Sequence, residues 1–163
     1  MLSIQKAQTD NDFLAIADLA DDIWHEHYAS IITKEQIDYM VNEFQSCDAI
    51  KKSVAENGYV YYMAMYNGKI YGYLGIHNEG DGVIFISKVY VHKDMRKKGI
   101  ASSLLKRLLN DYPDAKKWYL TVNKYNSNSI AAYKKCGFIT TRELVTDIGN
   151  GFVMDDYVME KLL

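Results

Sequence analysis

Val89-Tyr90-Val91, then Arg96-Lys97-Lys98-Gly99-Ile100-Ala101-Ser102, is a pattern that binds anions. A strand delivers a short basic loop with one glycine, and a helix begins. Such a loop turns several backbone N–H groups toward one point. The helix start adds its own unpaired N–H groups and the positive end of its dipole. A pyrophosphate is the natural occupant, so the segment points to an enzyme that uses a phosphorylated cofactor. Gly99 lets the backbone come close to the ligand, and Ala101 is small where the helix meets it. Arg96, Lys97 and Lys98 add charge near the phosphates. The bland alternative is a solvated basic turn ahead of a helix.

A second constellation lies about thirty residues on. Asn126, Ser129 and Tyr133 are spaced so that the asparagine and the tyrosine share one helical face two turns apart. Asn126 has the alternative reading of an ordinary helix cap, and Ser129 that of a small residue that permits close packing. Tyr133 reads either as a reactive phenol or as a core ring against Gly137-Phe138. Proton-accepting groups are scattered. The strand Val83 to Val91 holds no Asp, Glu or His, and Ser87 is its only small polar group. His77, Glu79, Glu26, His25 and His27 are the candidates for a general base, acting directly or through water. A histidine's ordinary pKa of ~6.5 suits that task. For each of them the alternative is a solvated surface residue, and that is the reading for His92. Nothing has metal-ligand spacing.

The elements that position these residues follow from hydropathy periods. Leu2 to Ala7 predicts a strand. Thr9 or Asp10 caps a helix to about Tyr28, with Phe13, Ile16, Ala17, Ala20, Ile23 and Trp24 on one face. Thr33-Lys34-Glu35-Gln36 opens a second helix striped by Ile37, Met40, Val41 and Phe44, and a third piece spans Asp48 to Glu56. The period then changes to two. Tyr59 to Tyr66, the turn Asn67-Gly68 and Lys69 to His77 make a hairpin. Asn78 to Gly82 reads as a second turn, and Val83 to Val91 as a buried strand. Ala101 to Asp111 is a helix with Leu104, Leu105, Leu108 and Leu109 inward. Trp118 to Asn123 is a strand, and Asn126 to Cys136 a helix stopped by Gly137. Strands Ile139 to Asp147 and Phe152 to Leu162 close the chain. The order β-α-α-α-β-β-β-α-β-α-β-β excludes a doubly wound dinucleotide fold and predicts an α/β (α+β) mixed sheet with helices on both faces.

The chain of 163 residues suits a single domain over 1–163, with no linker or repeat. Its net charge of -2 argues against broad nucleic-acid binding. There is no signal-peptide pattern and no apolar run near the ~20 residues of a membrane span. Cys47 and Cys136 stand far apart and read as free thiols in a reducing, cytoplasmic setting. No Gly-x-x-x-x-Gly-Lys-Ser/Thr is present, against a P-loop nucleotide binder. Tyrosine-rich strands and the last hairpin offer a surface for a homodimer.

Two segments carry a family resemblance. Val89-Tyr90-Val91 with Arg96-Lys97-Lys98-Gly99-Ile100-Ala101 resembles the cofactor motif of the GNAT-type N-acetyltransferase superfamily. Asn126-Ser127-Asn128-Ser129-Ile130-Ala131-Ala132-Tyr133, ending in Gly137-Phe138, resembles its second motif, and the element order agrees. The resemblance implies the acyl-CoA N-acyltransferase-like fold, mostly antiparallel, and acetyl transfer from acetyl-CoA to an amine through a tetrahedral intermediate. It implies that Arg96 to Ser102 hold the pyrophosphate and that Asn126 and Ser129 contact the cofactor. The Val89–Val91 edge would pair with pantetheine amides as an added strand, and a backbone N–H near Val89 would polarise the acetyl carbonyl. Tyr133 would give a proton to the leaving thiolate. A phenol of ordinary pKa ~10 stays protonated beside a thiol of ~8.5 and is a fitting acid. Trp24, His25 and Tyr28, with His77, are the expected acceptor-side residues. The layout is similar to bacterial polyamine (spermidine/spermine) N-acetyltransferases, down to Asp147-Ile148-Gly149-Asn150-Gly151-Phe152-Val153-Met154-Asp155-Asp156-Tyr157. A small primary amine is the expected acceptor. A peptide or protein amine, an aminoacyl-tRNA and a non-catalytic CoA binder are the alternatives.

Overall fold

A computed structural model describes residues 1–163. The elements are β1 (Leu2–Lys6), α1 (Asp10–His27), α2 (Lys34–Phe44), α3 (Cys47–Asn57), β2 (Tyr59–Tyr66), β3 (Lys69–Gly80), β4 (Val83–Val91), a 3-10 turn (Lys93–Met95), α4 (Ile100–Asp111), β5 (Lys117–Asn123), α5 (Ser127–Lys135), β6 (Ile139–Gly149) and β7 (Phe152–Leu162). The strands form a seven-stranded sheet in the order β1-β2-β3-β4-β5-β7-β6. The predicted element order holds throughout, and the 3-10 turn is the one addition.

The chain divides into two compact units, Met1–His77 with Lys88–Pro113, and Asn78–Ser87 with Asp114–Leu163. In the first, helix starts are set by short polar side chains. Thr9 and Asp12 form a reciprocal capping box, Thr33 accepts from the N–H of Gln36, and Ser46 from that of Ala49. α1 packs on α2 and α3, α3 on β2, and α4 on β1 and β2. Alternation along β2 divides the helices between the two faces of the strand. Tyr61 meets Lys88 on one side, while Tyr62 donates to Asp111 of α4 at 2.8 Å on the other. Gly75 lies opposite Tyr61, and a Cβ there would stand 2.9 Å from the Tyr61 ring, so the ring occupies the space that the glycine leaves.

Three of the inward assignments need correction. Leu109 is 44% exposed, because the buried stripe of α4 is Ile100, Leu104, Leu105 and Leu108. Leu19 takes the core place expected for Ala17, and Phe44, at the end of α2, is 40% exposed.

In the second unit β5 pairs antiparallel with β7 along its whole length, from Lys117↔Leu162 to Asn123↔Asp156. β4 pairs parallel with β5 over Val83, Ile84 and Phe85 only, which leaves Ser87 to Val91 outside that ladder. The expected turn over Asn78 to Gly82 is tighter: Asp81 and Gly82 alone turn, both at positive φ (54° and 78°). Asn67-Gly68 and Asn150-Gly151 have the same signs, the mirror-image turn that matches strand twist. No helix is long and apolar enough to cross a membrane.

Candidate active site

The basic loop is built by φ signs. β4 ends at Val91, His92 accepts from the N–H of Asp94 at 3.2 Å, and the chain turns through Lys93–Met95. Lys97 and Gly99 then take positive φ, 61° and 81°. Gly99 is the residue ahead of α4 and has no side chain to cap it. Ser103 closes the first helical bonds, its N–H and its hydroxyl both reaching the Gly99 carbonyl at 3.0 and 2.9 Å. The N–H groups of Ile100, Ala101 and Ser102 are therefore left without an intrahelical acceptor. Ala101, Ser102, Lys97 and Lys98 are exposed, and Ile100 is buried beneath them. The uncapped start of a twelve-residue helix beside exposed lysines fits a pyrophosphate.

Arg96 does something else with its charge. Its guanidinium grips Glu26 through both terminal nitrogens at 2.7 and 3.2 Å, and its Nε donates to the Val91 carbonyl at 3.1 Å. It fastens the strand end and α1 to the loop. Arg96 in turn holds the Glu26 carboxyl below the ordinary range, which makes Glu26 a poor proton acceptor.

Of the residues expected on the acceptor side, the structure brings Trp24 and Tyr28 together with Tyr90 of β4. Ring centroids are 4.5 Å apart for Trp24 and Tyr28 and 5.5 Å for Trp24 and Tyr90. The Tyr28 and Tyr90 hydroxyls are 3.2 Å apart, and Tyr73 backs the group at 5.6 Å from Tyr90. Val89 and Val91 are half-buried beside Tyr90 in sequence. His25 looks elsewhere. It bridges the Asp21 carbonyl and the Asp38 carboxylate, 2.5 Å away on α2, and Asp38 raises its pKa. It clasps α1 to α2, and these partners favour its charged form, which suits a neutral base poorly. His77 lies 5.2 Å from the Tyr59 ring, and His27 stands edge-on to Tyr28. Glu79 accepts from the Tyr119 hydroxyl.

β4 does carry a titratable group, Lys88, half-buried beside Ser87. Its Nζ donates to the Phe44 carbonyl at 2.9 Å and to the Tyr61 hydroxyl at 2.5 Å. Desolvation pulls its pKa down to about 7. One residue along, Gln45 accepts from the buried Tyr73 hydroxyl at 3.1 Å. The corner between α2 and α3 is thus pinned to the strands at two consecutive residues.

In the other unit Asn126 caps α5, its Oδ1 accepting from the N–H of Ser129 at 3.3 Å, and both Asn126 and Asn123 are buried. Tyr133 is half-buried with its ring 5.9 Å from Phe138, and the N–H of Phe138 returns to the Tyr133 carbonyl at 3.0 Å. The acidic residues near the last hairpin read either as an attraction for a cationic acceptor or as a solvated turn. In the structure Asp155 pairs with Lys124 at 2.8 Å, and Asp156 is buried, 7% exposed. Asp156 falls in phase with buried Val158 on β7, a period-two signal present in the sequence.

Residues 16–138 match the model of the acetyltransferase (GNAT) family. No curated protein is significantly similar in sequence. Among solved structures, the PaiA N-acetyltransferase of Thermoplasma acidophilum in complex with coenzyme A has 20% identity and a TM-score of 0.82, covering 99% of each chain. A GCN5-related N-acetyltransferase of Rhodopseudomonas palustris has 16% identity and a TM-score of 0.81, over 99% of this chain and 95% of the other. The ribosomal-protein-S18-alanine N-acetyltransferase of Escherichia coli has 18% identity and a TM-score of 0.69, over 99% and 94%.

Proposed function

The chain belongs to the acetyltransferase (GNAT) family, and from that premise we propose that it acetylates the primary amine of a small, polyamine-like molecule. Acetyl-CoA is the acetyl donor and amine acetylation the reaction class. The observation that carries the donor side is the uncapped start of α4, with Lys97 and Lys98 exposed beside it. Its N–H groups are the donors for the pyrophosphate, and the lysines neutralise it as point charges. Arg96 shapes the loop through Glu26 and Val91. The Val89–Val91 edge is the proposed partner of the pantetheine arm, and Val89 the proposed N–H donor to the acetyl oxygen. Both fit a strand segment outside the β4–β5 ladder.

Tyr133 is proposed as the acid toward the departing thiolate, with Asn126 and Ser129 as donor contacts. The acceptor side rests on Trp24, Tyr28 and Tyr90. Trp24 and Tyr28 are buried, 4% and 5% exposed, so they back the half-buried Tyr90, whose ring is the face suited to the methylenes or the cation of an alkylamine. A cytoplasmic, single-domain enzyme is part of the same reading. The second reading is a protein or peptide amine, favoured by the likeness to the Escherichia coli ribosomal-protein-S18-alanine enzyme. Mass spectrometry of products from acetyl-CoA with spermidine, spermine, amino acids, aminoglycosides and alanine-ended peptides tests both. Acetylated spermidine supports the first reading, product only from peptides moves the assignment to the second, and no product from any amine sinks both.

A further inference from the structure

We propose that Asp156 is the carboxylate that receives the acceptor's ammonium and takes a proton from it. This rests on the amine-acetylation reading above. Asp156 is 7% exposed, and its Oδ1 accepts no hydrogen bond from the protein. It stands opposite Asn123 in the last pair of the β5–β7 ladder, so the two side chains share one face. Asn123 leads within three residues to Asn126, the cap of the helix that carries Tyr133. A buried, unbridged carboxylate thus sits at the strand end from which the proposed acid's helix departs.

Its surroundings leave the charge uncompensated. On its own strand Asp155 is a like charge, and from β6 the facing residue is Leu144. The cation that acts on it is Lys124, at the β5–α5 corner, and Lys124 is shared between Asp155 at 2.8 Å and Glu143 at 3.4 Å. Burying a carboxylate without a partner is costly, and asparagine of the same shape would relieve the cost. A ligand cation would relieve it too, and the amine is cationic at neutral pH. Burial and Asp155 push the Asp156 carboxyl up to about 6, so it is ionised at pH 7 yet basic enough to accept a proton.

The protons balance. The ammonium gives one proton to Asp156, and the freed lone pair forms the N–C bond to the acetyl carbon. The C–S bond breaks with its electrons on sulfur, which takes a proton from Tyr133. The second N–H proton restores the tyrosine, and Asp156 releases its proton to solvent. An ammonium and acetyl-CoA become an amide, CoA thiol and one proton.

The test uses Asp156→Asn and Asp156→Glu, with spermidine and an alanine-ended peptide as acceptors. Asp156→Asn should lower kcat/KM for the amine ~100-fold, as expected of a lost general base. The acetyl-CoA Kd should stay within about twofold, and Asp156→Glu should recover part of the activity and the acid limb of the pH profile. Asp156→Asn should also melt higher than the wild type at pH 8 but not at pH 4. An Asp156→Asn variant with near-normal kcat/KM, or one that melts lower at pH 8, overturns the inference and leaves acetyl transfer standing. A wild type that acetylates neither amine overturns the reading beneath it instead.

Discussion

As the proposed acid, Tyr133 would separate chemistry from binding. Replacing it with phenylalanine keeps the ring against Phe138 and removes only the hydroxyl. We expect kcat to fall ~100-fold, the usual worth of a positioned acid, with the acetyl-CoA Kd unchanged in calorimetry. Wild-type turnover would end that role. In the proposed donor site Lys97 and Lys98 would act through charge alone. Changing both to glutamine should raise the KM for acetyl-CoA with little change in kcat, and the difference should shrink in high salt. At this scale the sequence was partly legible. The glycine, the lysines and the Asn126–Tyr133 spacing stand in plain view. The partner of Arg96 does not, since Glu26 is seventy residues away. Nor does the burial of Asp156, whose run of acidic neighbours resembles a surface turn until the β7 register fixes which of them turns inward.

At the scale of elements, two glycines make a contrast. Gly75 has an extended backbone and meets the Tyr61 ring, so Gly75→Ala should lower the unfolding free energy by about 1–3 kcal/mol and leave donor affinity alone. Gly99 has open space around it but a φ of 81°, so Gly99→Ala strains the loop rather than the core. Donor affinity should fall there more than stability does. Denaturant melts and calorimetry on both variants check the pair, and the opposite ranking would contradict the assignment of the loop. The elements themselves were the most legible part of the sequence, because caps such as Thr9 and Thr33 and turns such as Asn67-Gly68 are local signals. The shorter second turn was not. Asn78, Glu79 and Gly80 have turn composition, yet they extend β3, and Asp81-Gly82 supplies the bend. Pairing across the sheet outweighed local preference there.

For the whole molecule, two displaced groups shape the dependence of stability on pH. Asp156 titrates near 6 in the folded protein, above its ordinary value of 3.8, so stability falls as pH rises from about 4 to 6. Lys88 titrates near 7, below its ordinary 10.5, so stability rises again from about pH 7 to 10. His25, raised by Asp38, adds to the fall, because its contribution is lost as pH climbs through its folded value. Asp12, Glu26 and Asp111, all lowered, contribute only above the acid range. Thermal midpoints from pH 4 to 10 should therefore pass through a trough at about 6–7. Lys88→Met should remove the rise on its alkaline side, and Asp156→Asn the fall on its acid side. A single broad maximum at neutral pH would contradict both placements.

Lys88 has a further consequence. An enzyme that moves acetyl groups onto neutral amines keeps in β4 an amine of its own whose pKa is pulled down to about 7. The nitrogen faces the Phe44 carbonyl and the Tyr61 hydroxyl, and the desolvation that strips its proton also withholds it from any reagent. If the α2–α3 corner opened, water would restore the basicity of an ordinary lysine, and the resulting ammonium has no lone pair to give. Reactivity and accessibility at this position exclude one another, so the protein is insulated from self-modification at its least basic lysine.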